Sequence, residues 1–159
     1  MIKIIKKESE NNRKGILHNI FLYLFNNNYR VQCKIRKIVD TNNKLYRYYL
    51  TQKLEKKYTV SIGSNVKIGR NCIVCHHNGI IIGENTTIGN DCKLYQQVTI
   101  GQKNDEYPCI GNNVTIFPGA KIIGGISIGN NVVIAPNAVV INDVDDNRIV
   151  GGVPAKVLK

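Results

Sequence analysis

From Ile62 onward an aliphatic residue returns every six positions. The hexads start at Ile62, Ile68 and Val74, resume at Ile82, Ile88, Leu94 and Ile100, and resume again at Ile110, Ile116, Ile122, Ile128, Ile134 and Val140. The fifth position of each hexad is small or β-branched, as at Val66, Cys72, Thr86, Cys92, Val98, Val114, Ala120, Ile126, Val132, Ala138 and Val144. A period of six is neither the 3.6 of a helix nor the 2.0 of a long strand. It fits very short strands separated by sharp turns, with the aliphatic residue pointing inward and the small one beside it. Gly, Asn and Asp between the apolar positions tolerate left-handed backbone. Gly often directly follows the aliphatic residue, as at Gly63, Gly69, Gly83, Gly89, Gly101, Gly111 and Gly129, which no amphipathic helix would sustain. Three hexads close one triangular coil, so these hexads predict about four coils stacked through parallel strands. The fold class is mainly β, a parallel β-helix.

Before Tyr58 the six-residue period is absent. Apolar spacing around Lys14–Phe25, Tyr29–Val39 and Lys44–Lys57 predicts short helices, with breaks at Asn26–Asn28 and Thr41–Asn43. The expected organisation is a helical region over 1–57 and a β-helix domain with a closing segment over 58–159. Two interruptions of the repeat stand out. Eight positions separate Val74 from Ile82, and they hold Cys75, His76, His77, Asn78 and Gly79. Ten separate Ile100 from Ile110, leaving an extra loop around Lys103 to Tyr107. Loops thrown from a rigid scaffold commonly carry chemistry, so both are candidate sites.

Charge changes the picture only at one end. Residues 1–57 hold 14 Lys and Arg against 4 acids, while residues 58–159 hold 8 against 7. A basic patch attracts acidic partners, and a solvated helical face is the alternative. Lys3, Lys6, Lys7, Arg13 and Lys14 lie beside the apolar stretch Ile16 to Phe25, which leaves two readings: packing of that stretch on the β-helix or a neighbouring trimer, or peripheral contact of residues 1–28 with an anionic membrane surface. No apolar run nears the roughly 20 residues of a membrane span, and no small-residue cleavage pattern follows the stretch. A cytoplasmic location is the expectation, with the inner face of the membrane as the second reading and no nucleic-acid partner. The five cysteines, Cys33, Cys72, Cys75, Cys92 and Cys109, have no disulfide framework spacing, and Cys72 and Cys92 fall on core positions of the repeat. No metal is expected.

Four segments in order carry a resemblance: Val66-Lys67-Ile68-Gly69-Arg70, His76-His77-Asn78-Gly79-Ile80-Ile81-Ile82-Gly83-Glu84, Gln96-Gln97-Val98-Thr99-Ile100-Gly101 and Gly151-Gly152-Val153-Pro154-Ala155-Lys156. They resemble the hexapeptide-repeat acyltransferases, in particular serine acetyltransferases and their relatives that O-acetylate bacterial surface polysaccharides. The resemblance implies a left-handed coil, acetyl-CoA as acetyl donor, and a homotrimer with sites between protomers. It implies His76 as general base. A neutral imidazole can take the proton of an alcohol as that alcohol attacks the thioester. His77, one residue away, is the competing choice. Asn78, Gln96, Gln97, Glu106 and Tyr107 are the candidate acceptor-binding residues. Gly101, Pro118, Pro136 and Lys156 match positions that line the CoA groove in the family.

The chain also departs from serine acetyltransferases. Ser61 stands where that family has the Asp that accompanies its catalytic His. Cys75 replaces the Asp just before that His, and Glu106-Tyr107-Pro108 replaces its R-H-P segment. A zwitterionic amino acid wants fixed countercharges, whereas a sugar is held by hydroxyl and amide hydrogen bonds. The expected activity is therefore acetyl-CoA-dependent O-acetylation of a sugar hydroxyl, small or lipid-linked, in surface polysaccharide synthesis. The alternatives are a serine O-acetyltransferase of cysteine biosynthesis and a non-catalytic β-helix scaffold.

Overall fold

The computed structural model describes residues 15–159. The basic positions Lys3, Lys6, Lys7, Arg13 and Lys14 lie outside them. Three helices come first: α1 over 15–25, α2 Asn27–Asp40 and α3 Lys44–Tyr58. Asn26 caps α2 by accepting the Tyr29 N–H at 3.1 Å, and Asn43 caps α3 by accepting the Tyr46 N–H at 3.0 Å. The expected break at Asn26–Asn28 thus narrows to the cap itself, and Asn27 and Asn28 open α2.

The coil follows. Its first turn is β1 Ser61–Ile62, β2 Lys67–Ile68 and β3 Ile73–Val74. The second is β4 Ile81–Ile82, β5 Thr87–Ile88 and β6 Lys93–Leu94. The third is β7 Thr99–Gly101, β8 Cys109–Ile110 and β9 Thr115–Ile116. The fourth is β10 Lys121–Ile123, β11 Ser127–Ile128 and β12 Val133–Ile134. β13 Val139–Val140 begins a fifth, and β14 Ile149–Gly152 pairs antiparallel with β15 Ala155–Val157 to close the chain. All other pairs are parallel and form three faces: β1-β4-β7-β10-β13, β2-β5-β8-β11 and β3-β6-β9-β12-β14. This is the left-handed parallel β-helix of hexapeptide repeats that the period predicted.

Register explains why two-residue strands suffice. Ile62, Ile82, Ile100, Ile122 and Val140 stack on one another in the first face, and Val74, Leu94, Ile116, Ile134 and Val150 in the third. All are buried. Each such side chain contributes about 1.5–3 kcal/mol by leaving water. At the corners Asn65, Asn71, Asn85, Asp91, Asn113, Asn131 and Asn147 adopt the left-handed backbone that short polar side chains tolerate. Side-chain ladders tie the corners together: Asn90 N–H donates to Asn112 Oδ1 at 2.8 Å, and Asn112 N–H to Asn130 Oδ1 at 2.9 Å.

The helices cap the open end of the coil. Val31, Ile35 and Ile38 of α2 and Leu50, Leu54 and Tyr58 of α3 share one apolar cluster with the coil interior. Their spacing of three and four residues is the buried stripe of an amphipathic helix. Arg36 donates to the carbonyls of Ile68 and Gly69, fastening α2 to β2. On α1, Ile16, Leu17, Ile20, Phe21, Leu24 and Phe25 remain exposed. Among the described residues no helix is long and apolar enough to cross a membrane.

Candidate active site

One corner of the triangle, where the chain leaves the third face and enters the first, collects most of the candidate residues. Its loops are Cys75–Ile80 between β3 and β4, Tyr95–Val98 between β6 and β7, Phe117–Ala120 between β9 and β10, and Ala135–Ala138 between β12 and β13. They stack through backbone hydrogen bonds: Gln97 N–H to the Asn78 carbonyl at 2.8 Å, Gly119 N–H to the Gln96 carbonyl at 3.0 Å, and Asn137 N–H to the Pro118 carbonyl at 2.9 Å. At the sharpest point each loop turns through left-handed backbone, at Gly79 (φ 70), Gln97 (φ 60), Gly119 (φ 73) and Asn137 (φ 57). The first loop is longer by two residues than its neighbours, and this insertion carries both histidines.

His76 is exposed on this corner. Its ring lies 6.2 Å from that of Tyr95, which stacks on Phe117 at 5.2 Å one coil further on. Hydrogen bonding with the Cys75 thiol, before any other cause, raises the pKa of the Tyr95 hydroxyl. His77 is oriented differently. Its Nδ1 lies 2.6 Å from Oδ1 of Asn28 in the first turn of α2, and its ring meets that of Tyr58 edge-on at 5.5 Å. Burial first, and then the nearness of His76, hold the His77 imidazole below the usual histidine range. His77 is therefore a neutral ring near pH 7.

Gln96 sits one coil above His76, and its side-chain Oε1 is buried with no hydrogen-bond partner among the described residues. A buried unpaired acceptor costs about 1–3 kcal/mol, which a ligand O–H or N–H would recover. Asn78 and Gln97 flank the same corner and are exposed. Pro118 and Pro136 follow in the column. Lys156 lies on β15 opposite Gly151, and Gly151 itself packs against Ala135, so the closing hairpin ends this column.

The other candidates are elsewhere. Gly101 ends β7, and Glu106 and Tyr107 belong to the long connection from it to β8, at the corner of the first and second faces. There Lys103 and Glu106 exchange backbone hydrogen bonds of 3.1 Å each, and the Glu106 side chain lies against Gly125 of the next coil. Within one chain the structure brings His76, Asn78, Gln96, Gln97, Pro118, Pro136 and Lys156 to one corner and leaves Gly101, Glu106 and Tyr107 at another. Ser61 lies in β1 beside Ile81, and among the described residues no hydrogen bond joins it to His76. Two residues of the corner escaped the sequence reading: Tyr95, which follows a core hexad position like any other, and Asn28, which reads there only as part of a helix break.

Cys72 and Cys92 are core residues whose thiols donate to the carbonyls of Gly89 at 3.1 Å and Gly111 at 3.3 Å. Among the described residues no group of three or more His, Cys, Asp or Glu is placed to hold a metal.

Known proteins place this geometry. The family model described as bacterial transferase hexapeptide (six repeats) matches residues 110–142. Serine acetyltransferase of Haemophilus influenzae is 35% identical over 123 residues, 75% of this chain and 46% of its own length. Serine acetyltransferase of Staphylococcus aureus is 38% identical over 104 residues, 63% of this chain and 49% of its own length. The chain thus spans about half the length of these curated relatives. Among solved structures, a serine acetyltransferase in complex with CoA superposes with a TM-score of 0.76 at 32% identity, covering 82% of this chain and 56% of that one. Neisseria gonorrhoeae serine acetyltransferase in complex with serine superposes with a TM-score of 0.80 at 28% identity, covering 87% of this chain and 60% of that one. Repeat, coil and sequence likeness agree, and this chain is similar to the hexapeptide-repeat acyltransferases, in particular to serine acetyltransferases.

Proposed function

We propose that the protein transfers acetyl from acetyl-CoA to the hydroxyl of a small acceptor, with L-serine the first candidate and His76 the general base. The observation that carries this reading is the corner itself. An exposed imidazole stands one coil from a buried Gln96 Oε1 that has no partner among the described residues, in a chain whose cited relatives are serine acetyltransferases. The acceptor hydroxyl attacks the thioester carbonyl while His76 takes its proton. The tetrahedral intermediate collapses and expels the CoA thiolate, which receives that proton from the imidazolium. The products are the O-acetyl ester and free CoA thiol, and the imidazole returns to its starting state. Gln96 Oε1 accepts a hydrogen bond from the bound acceptor.

The relatives favour serine over the sugar acceptor that the residues alone suggested. A sugar remains the second reading because Ser61, Cys75 and Glu106-Tyr107 leave the site without the countercharges a zwitterion wants. Free-thiol release from acetyl-CoA separates the readings. Release dependent on L-serine supports the first, and release dependent only on free or nucleotide-linked hexoses supports the second. No release above hydrolysis with either would leave a β-helix scaffold.

The separation of candidates between two corners also supports a homotrimer. Packing corner against corner would bring Pro118, Pro136 and Lys156 of one protomer toward Gly101, Glu106 and Tyr107 of the next and complete an acetyl-CoA groove. A sedimentation mass of one chain at micromolar concentration would refute it.

A further inference from the structure

We propose that Asn28 and His77 form a clamp that positions the His76 loop from the helical cap. The inference rests on the reading of His76 as the base. His76 lies between two anchored residues. Asn28 Nδ2 donates to the Cys75 carbonyl at 2.7 Å, on one side of His76, and Asn28 Oδ1 lies 2.6 Å from His77 Nδ1, on the other. One side chain of α2 thereby holds both neighbours of the catalytic residue, across 47 and 49 residues of chain.

The chemistry fixes the direction of both bonds. A carbonyl oxygen only accepts, so the Asn28 atom facing Cys75 must be the NH2 group, and the atom facing His77 must be the amide oxygen. An amide oxygen also only accepts, so His77 Nδ1 must carry the proton. The Asn28 contact therefore selects the Nδ1–H tautomer of a neutral His77. The Tyr58 ring closes over the His77 ring at 5.5 Å and 82°. Tyr58 is buried in the core cluster, so the clamp is rooted in the joint between helices and coil.

A clamp is needed here for a physical reason. The loop carries two more residues than the other loops of its corner, and its extra length has no equivalent in the next coil to bond with. At Asn78 and Gly79 the regular ladder resumes, through Gln97 N–H to Asn78 and Gly79 N–H to the Thr59 carbonyl at 3.1 Å. Cys75 N–H is likewise in the ladder, donating to the Leu94 carbonyl at 2.9 Å. His76 and His77 are the stretch between, and Asn28 is what spans it. With Ser61 in place of an orienting carboxylate, the placing of His76 falls to its loop. His77 is a positioning residue in this scheme and does not touch the reacting atoms.

Asparagine places its Nδ2–H where histidine has Nδ1–H, so His77→Asn keeps the bond to Asn28 while removing the ring nitrogen Nε2. The expected results follow. Asn28→Ala and His77→Ala each lower kcat by about 10-fold, since sub-ångström misplacement of a catalytic group costs on this order. KM for acetyl-CoA stays within about 2-fold, because that substrate contacts other coils. The double variant is no worse than either single one, as for two halves of one device. His77→Asn restores kcat to within about 3-fold of the parent. Independently of activity, nitrogen-15 NMR of the histidines shows His77 protonated at Nδ1 in the parent and its signals shifted in Asn28→Ala.

Several outcomes would overturn the clamp. One is an Nε2–H tautomer at His77. Others are additive losses in the double variant, or unchanged kcat in both alanine variants. His77→Asn as inactive as His76→Ala would transfer the role of base to His77. If the parent releases no thiol from acetyl-CoA with any acceptor, the functional reading fails, and the NMR result still decides whether the clamp exists.

Discussion

Two glycines in neighbouring coils, on different faces, separate what holds the coil together from what the site needs. A Cβ built on Gly89 would lie 2.5 Å from the Gly111 carbonyl oxygen, 2.6 Å from its carbon and 2.7 Å from Asn112 Oδ1. Ordinary contact begins about 1 Å further out. The obstacle is mostly backbone of the next coil, whose spacing is set by Gly89 N–H to the Ile110 carbonyl and Gly111 N–H to the Ile128 carbonyl, both 2.8 Å, and by the Asn90–Asn112 ladder. Gly89→Ala must part the coils at that corner. Overpacking of this kind costs about 1–3 kcal/mol, and one weakened hydrogen bond adds about 1 kcal/mol. The stiffer unfolded chain returns about 0.4–1 kcal/mol. The net expectation is a loss of about 2–3 kcal/mol, or about 1–1.5 M in the urea midpoint for an m-value near 2 kcal/mol/M. At Gly101 the same Cβ meets only Ile123 Cδ1 at 3.5 Å, an ordinary contact. Gly101→Ala should therefore change stability by less than about 1 kcal/mol, and should instead raise KM for acetyl-CoA if Gly101 borders its groove. Urea unfolding followed by circular dichroism, at one fixed protomer concentration because assembly shifts apparent stability, gives the first quantity, and thiol release gives the second. Equal midpoints for the two variants, or a Gly89→Ala loss under about 0.5 kcal/mol, would refute the steric reasoning.

Three further outcomes are expected. His76→Ala should cut acetyl transfer by about 10²-fold or more with the unfolding midpoint unchanged, because the side chain is exposed and its loss removes the proposed general base; parental activity in this variant would remove the mechanism. Thr86 is fully buried and its hydroxyl has no partner among the described residues, so Thr86→Val should leave the urea midpoint unchanged or raise stability by about 1 kcal/mol. His77 is held below the ordinary value of 6.5 in the folded state, so as pH falls through that value the unfolded chain binds the proton first and stability declines. His77→Asn should flatten that part of the stability profile, and an unchanged slope between about pH 5 and 6.5 would contradict the assigned direction.

The coil was legible because a solenoid writes its contacts into its period. Each aliphatic position meets its equivalent in the next coil, as Ile82 meets Ile100, so spacing along the chain is also spacing in the core. The two places where the period fails, after Val74 and after Ile100, are the two corners where the structure throws its longer loops. The place of His76 was legible for the same reason, since it stands in the insertion where the period fails. The helix ends were only partly legible. Asn26, Asn27 and Asn28 are alike in composition, and only the formed helix assigns one to the cap and another to His77.

What the sequence by itself determined is therefore the repeat, the inward and outward faces, the corner that bears the histidines and the likeness to hexapeptide acyltransferases. Tertiary structure alone decided three things. It parted Glu106, Tyr107 and Gly101 from His76 by the width of a face, although all stand beside interruptions of one repeat. It left the Gln96 Oε1 buried without a partner among the described residues. It carried Asn28 back to the loop it holds. Periodicity encodes contacts between neighbouring coils, where every residue has an equivalent one period on. A helix that folds back over 47 residues makes contacts with no equivalent one period on, and such contacts follow from packing alone.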